Sequence, residues 1–388
     1  MIPYGRQSIS REDVEAVVEV LRSDFLTQGP AVPAFERAVA EQVGARFGIA
    51  VNSATSALHV GCLALGLGPG DSLWTSANTF VASANCARYC GASVDFVDID
   101  ARTGNMSTQV LTGKLHHARR TGSRLPKVVV PVHFGGQPTE QEAIWELSRE
   151  YGFRVLEDAS HSIGASRHGE PVGSCRWSDI TVASFHPVKV MTTGEGGMAF
   201  CNDEGLAARM QLLRTHGVTR EPQFMESVPA GPWYYEQIDL GFNYRMTDIQ
   251  AALGLSQLLR LADFVATRNR LARRYDALLA GLPVSPLQVT AGNRSAFHLY
   301  VVRLPRPDAA RRRMLVEGLR DAGIGVNLHY MPVYLQPYYR RMGFAPGLCP
   351  AAEAYAEAAM TIPLFFGLTE DQQDIVVDAL RTQLTSVP

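Results

Sequence analysis

Lysine is nearly missing from this chain of 388 residues: among 36 Lys and Arg residues, only Lys114, Lys127 and Lys189 are lysines. A guanidinium stays protonated and forms no imine, so a lysine retained against that background is a candidate for chemistry that arginine cannot perform. Long apolar runs are missing too. None reaches the ~18 residues of a membrane-spanning helix, so no span is expected. A field of one charge is absent: the formal net charge is −2 and 19% of residues are charged, which argues against a nucleic-acid partner. The six cysteines (62, 86, 90, 175, 201 and 349) include no CxxC pair and read as reduced thiols of a cytoplasmic protein. His116-His117 has no cysteine or carboxylate cluster beside it, so it reads as a surface pair and no metal is expected. The segment Met1-Ile2-Pro3-Tyr4-Gly5-Arg6-Gln7 lacks the charged and apolar regions of a signal peptide. No GxGxxG opens a βαβ unit and no Walker A sequence occurs, which removes the two common nucleotide fingerprints.

What is present is a folded-protein composition, 46% hydrophobic with aromatics throughout. Ser10-Arg11-Glu12-Asp13 is a capping box, after which Val14, Val17, Val18 and Leu21 share one helical face. A second helix is expected over 31–43. Strands are expected at 48–51, 73–76, 94–97, 127–133, 154–157, 180–185 and 197–201, with helices at 56–65, 81–89 and 140–151 between several of them. Alternating β and α predicts a mostly parallel α/β sheet with helices on both faces. From 247 to 279 one long helical stretch is expected. It would join a large domain, 1–250, to a smaller C-terminal α/β domain, 251–388. Arg311-Arg312-Arg313 follows a helix start and reads as a solvated face.

The chemistry concentrates in four places. Phe153-Arg154-Val155-Leu156-Glu157-Asp158 is a strand ending in carboxylates, and ligands of parallel sheets bind at carboxyl ends of strands. Asp158 alone is equally a helix cap. Ser184-Phe185-His186-Pro187-Val188-Lys189 follows 31 residues beyond Asp158 at its lysine. A Schiff-base lysine with an Asp on a pyridinium nitrogen is the minimal signature of pyridoxal phosphate (PLP) chemistry, so the pair is more specific than either part. Ser53-Ala54-Thr55-Ser56 joins a strand to a helix and leaves N–H groups at a helix start, suited to a phosphate dianion, although plain capping explains such a segment alone. Asn78-Thr79-Phe80 follows another strand. Phe80 is placed to stack on a ring or to fill the core.

Together these segments resemble the DegT/DnrJ/EryC1/StrS family of PLP-dependent nucleotide-sugar aminotransferases, with fold-type I architecture, over nearly the whole chain. The segments at 2–9, 23–30, 53–59, 78–85, 184–189 and 329–334 carry the resemblance. It is closest to the branch that aminates UDP-4-keto-6-deoxy-N-acetyl-L-altrosamine on the way to pseudaminic acid. The resemblance implies Lys189 as the Schiff-base lysine and proton carrier, Asp158 at the ring nitrogen and His161 near the phenolic oxygen. It implies Phe80 against the ring, and Ser53, Ala54, Thr55 and Ser184 at the phosphate. Asn243 would reach the phosphate of a neighbouring subunit's cofactor, which makes a homodimer the working unit. Tyr4, His186 and His329 would contact substrate. L-glutamate is the implied amino donor. The alternatives are an aminotransferase for another UDP- or dTDP-linked 4-keto-6-deoxy sugar, a PLP-dependent sugar dehydratase, and a non-catalytic PLP-binding regulator. Lys189 argues against the dehydratase, whose family members carry His there.

Overall fold

The computed structural model describes residues 1–386, so the last two positions of the expected second domain, 387 and 388, lie outside the described residues. Two helices, α1 (Arg11–Leu21) and α2 (Ala31–Val43), precede an alternating region. There β1 (Phe47–Val51), α3 (Ala54–Ala64), β2 (Ser72–Ser76), α4 (Ala82–Tyr89), β3 (Ser93–Val97), α5 (Thr108–Thr121), β4 (Val128–Val130), α6 (Gln141–Tyr151) and β5 (Arg154–Asp158) follow in turn. Then come β6 (Ile180–Ser184), β7 (Gly197–Cys201) and α7 (Glu204–Arg214).

The seven strands form one sheet in the order β1-β7-β6-β5-β4-β2-β3. The pairs β2–β3, β2–β4, β4–β5 and β5–β6 are parallel, while β7 opposes both neighbours. Strands β2, β6 and β7 are buried along their whole length, as expected of strands covered by helices on both faces. The expected strand at 127–133 is only three residues long. It stops at Pro131, which has no N–H for a ladder.

A smaller three-stranded sheet, β8 (Ser285–Pro286), β9 (Tyr300–Arg303) and β10 (Ala359–Ile362), is antiparallel. It shares a core with α10 (Ala309–Asp321) and α11 (Glu370–Ser386) through Leu315, Leu319, Val376 and Leu380. The chain start lies on this unit. Ile2 bridges Ile324 and the Tyr4 carbonyl accepts the Leu364 N–H at 3.1 Å, which brings Tyr4 toward the large sheet.

One expectation fails for a tertiary reason. The single helix over 247–279 is two, α8 (Asp248–Leu258) and α9 (Leu261–Leu278). At the break Leu259 is exposed, and Arg260 turns its guanidinium onto the buried Asp13 carboxylate at 2.5 Å. Asp13 also accepts from Ser256 and Gln257, each at 2.6 Å, so α1 packs on α8 through polar contacts. Part of the apolar face of α1 is left uncovered by its own chain: Val14 and Leu21 are both more than half exposed, whereas Val17 and Val18 are partly buried. No helix among the described residues is long and apolar enough to cross a membrane.

Candidate active site

A cavity of about 590 Å³ opens where the carboxyl ends of β1, β2, β5 and β6 meet the amino end of the reversed strand β7. Eleven of the twelve residues singled out in the sequence line it: Tyr4, Ser53, Ala54, Thr55, Phe80, Asp158, His161, Ser184, His186, Lys189 and His329. Asn243 is the exception. It is exposed, bridges Thr215, and does not belong to its own chain's cavity.

One wall is the amino end of α3. Ser53 is extended (φ −165°), and its hydroxyl accepts the Ser56 N–H at 3.1 Å. Ala54 and Thr55 begin the helix, so their N–H groups have no intrahelical acceptor and carry the positive end of the helix dipole. The gap beside them is kept by Gly197. A Cβ there would stand 2.4 Å from the Ala54 nitrogen and 2.5 Å from the Ser53 carbonyl carbon, both backbone atoms that cannot swing away. Ser184, at the end of β6, adds a hydroxyl to the same cavity.

Strand alternation separates the two carboxylates that end β5. Glu157 turns to the opposite face, where Gln141 and Thr181 donate to it at 2.6 and 2.7 Å and His133 approaches at 3.5 Å. Burial alone would raise its pKa, but His133 and these donors outweigh burial and lower it. Asp158 faces the cavity. Ser83 donates to its Oδ2 at 2.6 Å and the Ser160 N–H to its Oδ1 at 3.0 Å. Because the Ser83 proton is committed to the carboxylate, Thr79 donates to Ser83 across 2.8 Å. Ser83 was not legible as a site residue. Its only signal is the i, i+4 spacing from Thr79 in a stretch of small helical residues.

Lys189 is partly buried in the same cavity, and desolvation lowers its amine to about 8 against the opposing pull of Asp158. His161 is buried. Its Nδ1 accepts the Gly135 N–H at 3.3 Å, and burial with Lys189 and His329 nearby keeps the ring neutral, well below the usual histidine range. A neutral ring whose Nδ1 accepts must carry its proton on Nε2, which stands 3.3 Å from the Tyr330 hydroxyl. His329 pairs its Nδ1 with the Thr361 hydroxyl at 2.8 Å, lies 5.5 Å from the Tyr4 ring, and is lowered to about 4 by burial and Lys189. Phe80 is 57% exposed, which excludes the core reading and leaves its ring at the cavity mouth. His186 is exposed at the rim, 4.0 Å from Glu195. Tyr330, His298 and Asn327 also line the cavity, and sequence reasoning missed all three.

Such a site has an anion cradle, an amine with a lowered pKa and a buried carboxylate facing one space. Those are the means to hold an anionic carbonyl compound, form an imine with it and keep a proton on a ring nitrogen.

Known proteins point the same way. The model of the DegT/DnrJ/EryC1/StrS aminotransferase family matches residues 7–381. The spore coat polysaccharide biosynthesis protein SpsC of Bacillus subtilis is 37% identical over 385 residues, covering 98% of this chain and 96% of that one. The putative sugar aminotransferase Spr1654 of Streptococcus pneumoniae, solved in its PLP form, superposes with a TM-score of 0.90 at 29% identity, covering 100% of this chain and 99% of that one. Helicobacter pylori PseC, an aminotransferase involved in pseudaminic acid biosynthesis, gives a TM-score of 0.90 at 28% identity, with 99% of each chain covered.

Proposed function

Given that the chain belongs to the DegT/DnrJ/EryC1/StrS aminotransferase family and is a PLP-dependent sugar aminotransferase of fold type I, we propose that it moves the amino group of L-glutamate onto UDP-4-keto-6-deoxy-N-acetyl-L-altrosamine, in pseudaminic acid biosynthesis. The observation that carries the reaction is the convergence of Lys189, Asp158 and the amino end of α3 in one cavity. The likeness to PseC supports the substrate.

The residues present suit PLP, which when bound supplies an aldehyde carbon and an electron sink. Ser53, Ala54, Thr55 and Ser184 would hold its phosphate, with the Gly197 gap giving room. Asp158, fixed by Ser83 and Ser160, would keep a proton on the ring nitrogen. Phe80 would cover one ring face, and His161 would offer its Nε2–H to the phenolic oxygen. The Lys189 amine would take the proton from the donor's α-carbon as general base and deliver it, as general acid, to the carbon that PLP supplies as its aldehyde. An amine lowered to about 8 suits both roles. Tyr4, His186 and His329 are the substrate-facing candidates. Asn243 is assigned to the cofactor phosphate of a second subunit. Its position outside its own cavity and the exposed Val14 and Leu21 on α1 both support a homodimer with shared sites.

A second reading keeps the reaction and changes the sugar to another UDP- or dTDP-linked 4-keto-6-deoxy sugar. The higher identity to SpsC, whose name refers to spore coat polysaccharide, favours it. One experiment separates the two. The purified protein is converted to its amine-loaded form with L-glutamate, then given UDP-4-keto-6-deoxy-N-acetyl-L-altrosamine or its D-configured counterpart while the visible cofactor band is followed. Return of the band with the L-sugar alone supports the first reading, and return with the D-sugar alone the second. A band that glutamate does not change refutes glutamate as donor.

A further inference from the structure

Although the chain contains thirty-three arginines, none of them lines this cavity. A transaminase whose donor is a dicarboxylate must nevertheless recognise a carboxylate beside the reacting amine. The ionisable groups lining the cavity are Lys189, His161, His186, His298 and His329, against Asp158 and Glu195, with the phenols of Tyr4 and Tyr330. Lys189 is committed to proton transfer, His161 to Gly135 through Nδ1 and to the cofactor's phenolic oxygen through Nε2, and the His329 Nδ1 to Thr361.

His298 has no such commitment. It is 95% buried by its 5% exposure, its ring lies 4.5 Å from that of His161, and its Nδ1 is buried without a hydrogen-bond partner. That Nδ1 is closed off even from the open cavity, so a ligand would meet the ring at its other nitrogen, Nε2, which makes no hydrogen bond among the described residues either. The backbone around it is clamped. Arg268, fully buried on α9 and making no ion pair among the described residues, donates to the carbonyls of Phe297 at 3.2 Å and Leu364 at 3.0 Å. Its guanidinium therefore fixes where His298 enters the cavity.

The geometry points to His298 as the residue that recognises a carboxylate of the amino donor, taking one proton from solvent as the carboxylate enters and pairing with it as an imidazolium. This rests on the transaminase reading and adds the donor's binding group to it. The groups facing the ring explain why the proton arrives with the ligand. Burial first, then Lys189, His161, Arg268 and His329, hold the free ring neutral, well below the usual histidine range, and an incoming negative charge reverses that balance. When the 2-oxo acid leaves, the proton returns to solvent and the ring is neutral again. Between the free and the ligand-bound pKa of the ring, the Kd should rise by up to about tenfold per pH unit.

The test uses the PLP-loaded protein and glutarate, a dicarboxylate without an amine to transfer. Calorimetry between pH 6 and 8, in buffers of different ionisation heat, should show uptake of up to one proton per site and a Kd that rises with pH. His298→Gln should lose most of that uptake and bind at least tenfold more weakly at pH 6, with its visible cofactor band intact. Unchanged Kd and unchanged uptake in that variant would overturn the assignment and place the carboxylate on another group, including one from a second subunit. Should the variant fail to fold, the His298 Cε1 resonance of the unaltered protein decides. Movement to the imidazolium position on adding glutarate supports the assignment, and no movement overturns it. Conversion by L-glutamate is scored separately. If glutarate behaves as expected while glutamate leaves the cofactor band unchanged, the donor reading fails and the carboxylate site stands.

Discussion

In the cofactor-free protein the Lys189 amine should titrate at about 8, far below an ordinary lysine, because the cavity strips its ammonium of water. The consequence is large. At pH 7.5 an amine of pKa about 8 is roughly one-quarter free base, whereas one at 10.5 is about one part in a thousand, a difference of ~240-fold in nucleophile. The scarcity of lysine makes this measurable. Trace acetylation with acetic anhydride, read by mass spectrometry across pH 6–11, has only three side-chain amines to follow, with Lys114 and Lys127 as internal references in the same digest. The Lys189 labelling rate should reach half its plateau near pH 8. Asp158→Asn tests the cause, because that carboxylate favours the ammonium. Removing it should move the Lys189 midpoint further down. A midpoint above 9.5 in the unaltered chain would refute desolvation as the dominant effect. An upward move in Asp158→Asn would refute the assigned opposing charge.

Lys189→Arg keeps the charge and cannot form an imine, so turnover should vanish while thermal unfolding is nearly unchanged; substantial residual transamination would sink the assignment of Lys189. Gly197→Ala forces a methyl onto the Ser53–Ala54 backbone, and overpacking of this kind costs about 1–3 kcal/mol, so PLP titration should show at least tenfold weaker binding and urea a lower midpoint. Asp13→Ala leaves Arg260 without its buried partner and should cost about 3 kcal/mol in urea unfolding, whereas a capping residue at the surface would cost about 1.

Much of this protein is local in origin and therefore legible along the chain. The alternation of apolar strands with amphipathic helices sets the α/β sheet, and the seven expected strands all form, because each depends on its own run of residues. The ends of those strands expose Asp158, Ser184 and the Ser53–Thr55 helix start on one edge, and the residue types there already point to PLP. Lys189 stands out against thirty-three arginines in the sequence itself.

What the sequence does not contain is the meeting of residues far apart in it. Ser83 and Asp158 are 75 positions apart, and only the crossover from β2 through α4 sets that hydroxyl on the carboxylate. Asp13 reads as a surface cap until Arg260 arrives 247 residues later, at the point where the long helix divides in two. His298 looks like any histidine just ahead of an apolar strand until Arg268 clamps its backbone and leaves its ring on the cavity wall without a partner. Strand periods, helix faces and caps are short-range preferences that the sequence determines by itself. Desolvation, orphaned polar atoms and buried ion pairs depend on what chain folding brings alongside, and those were decided by the tertiary structure alone.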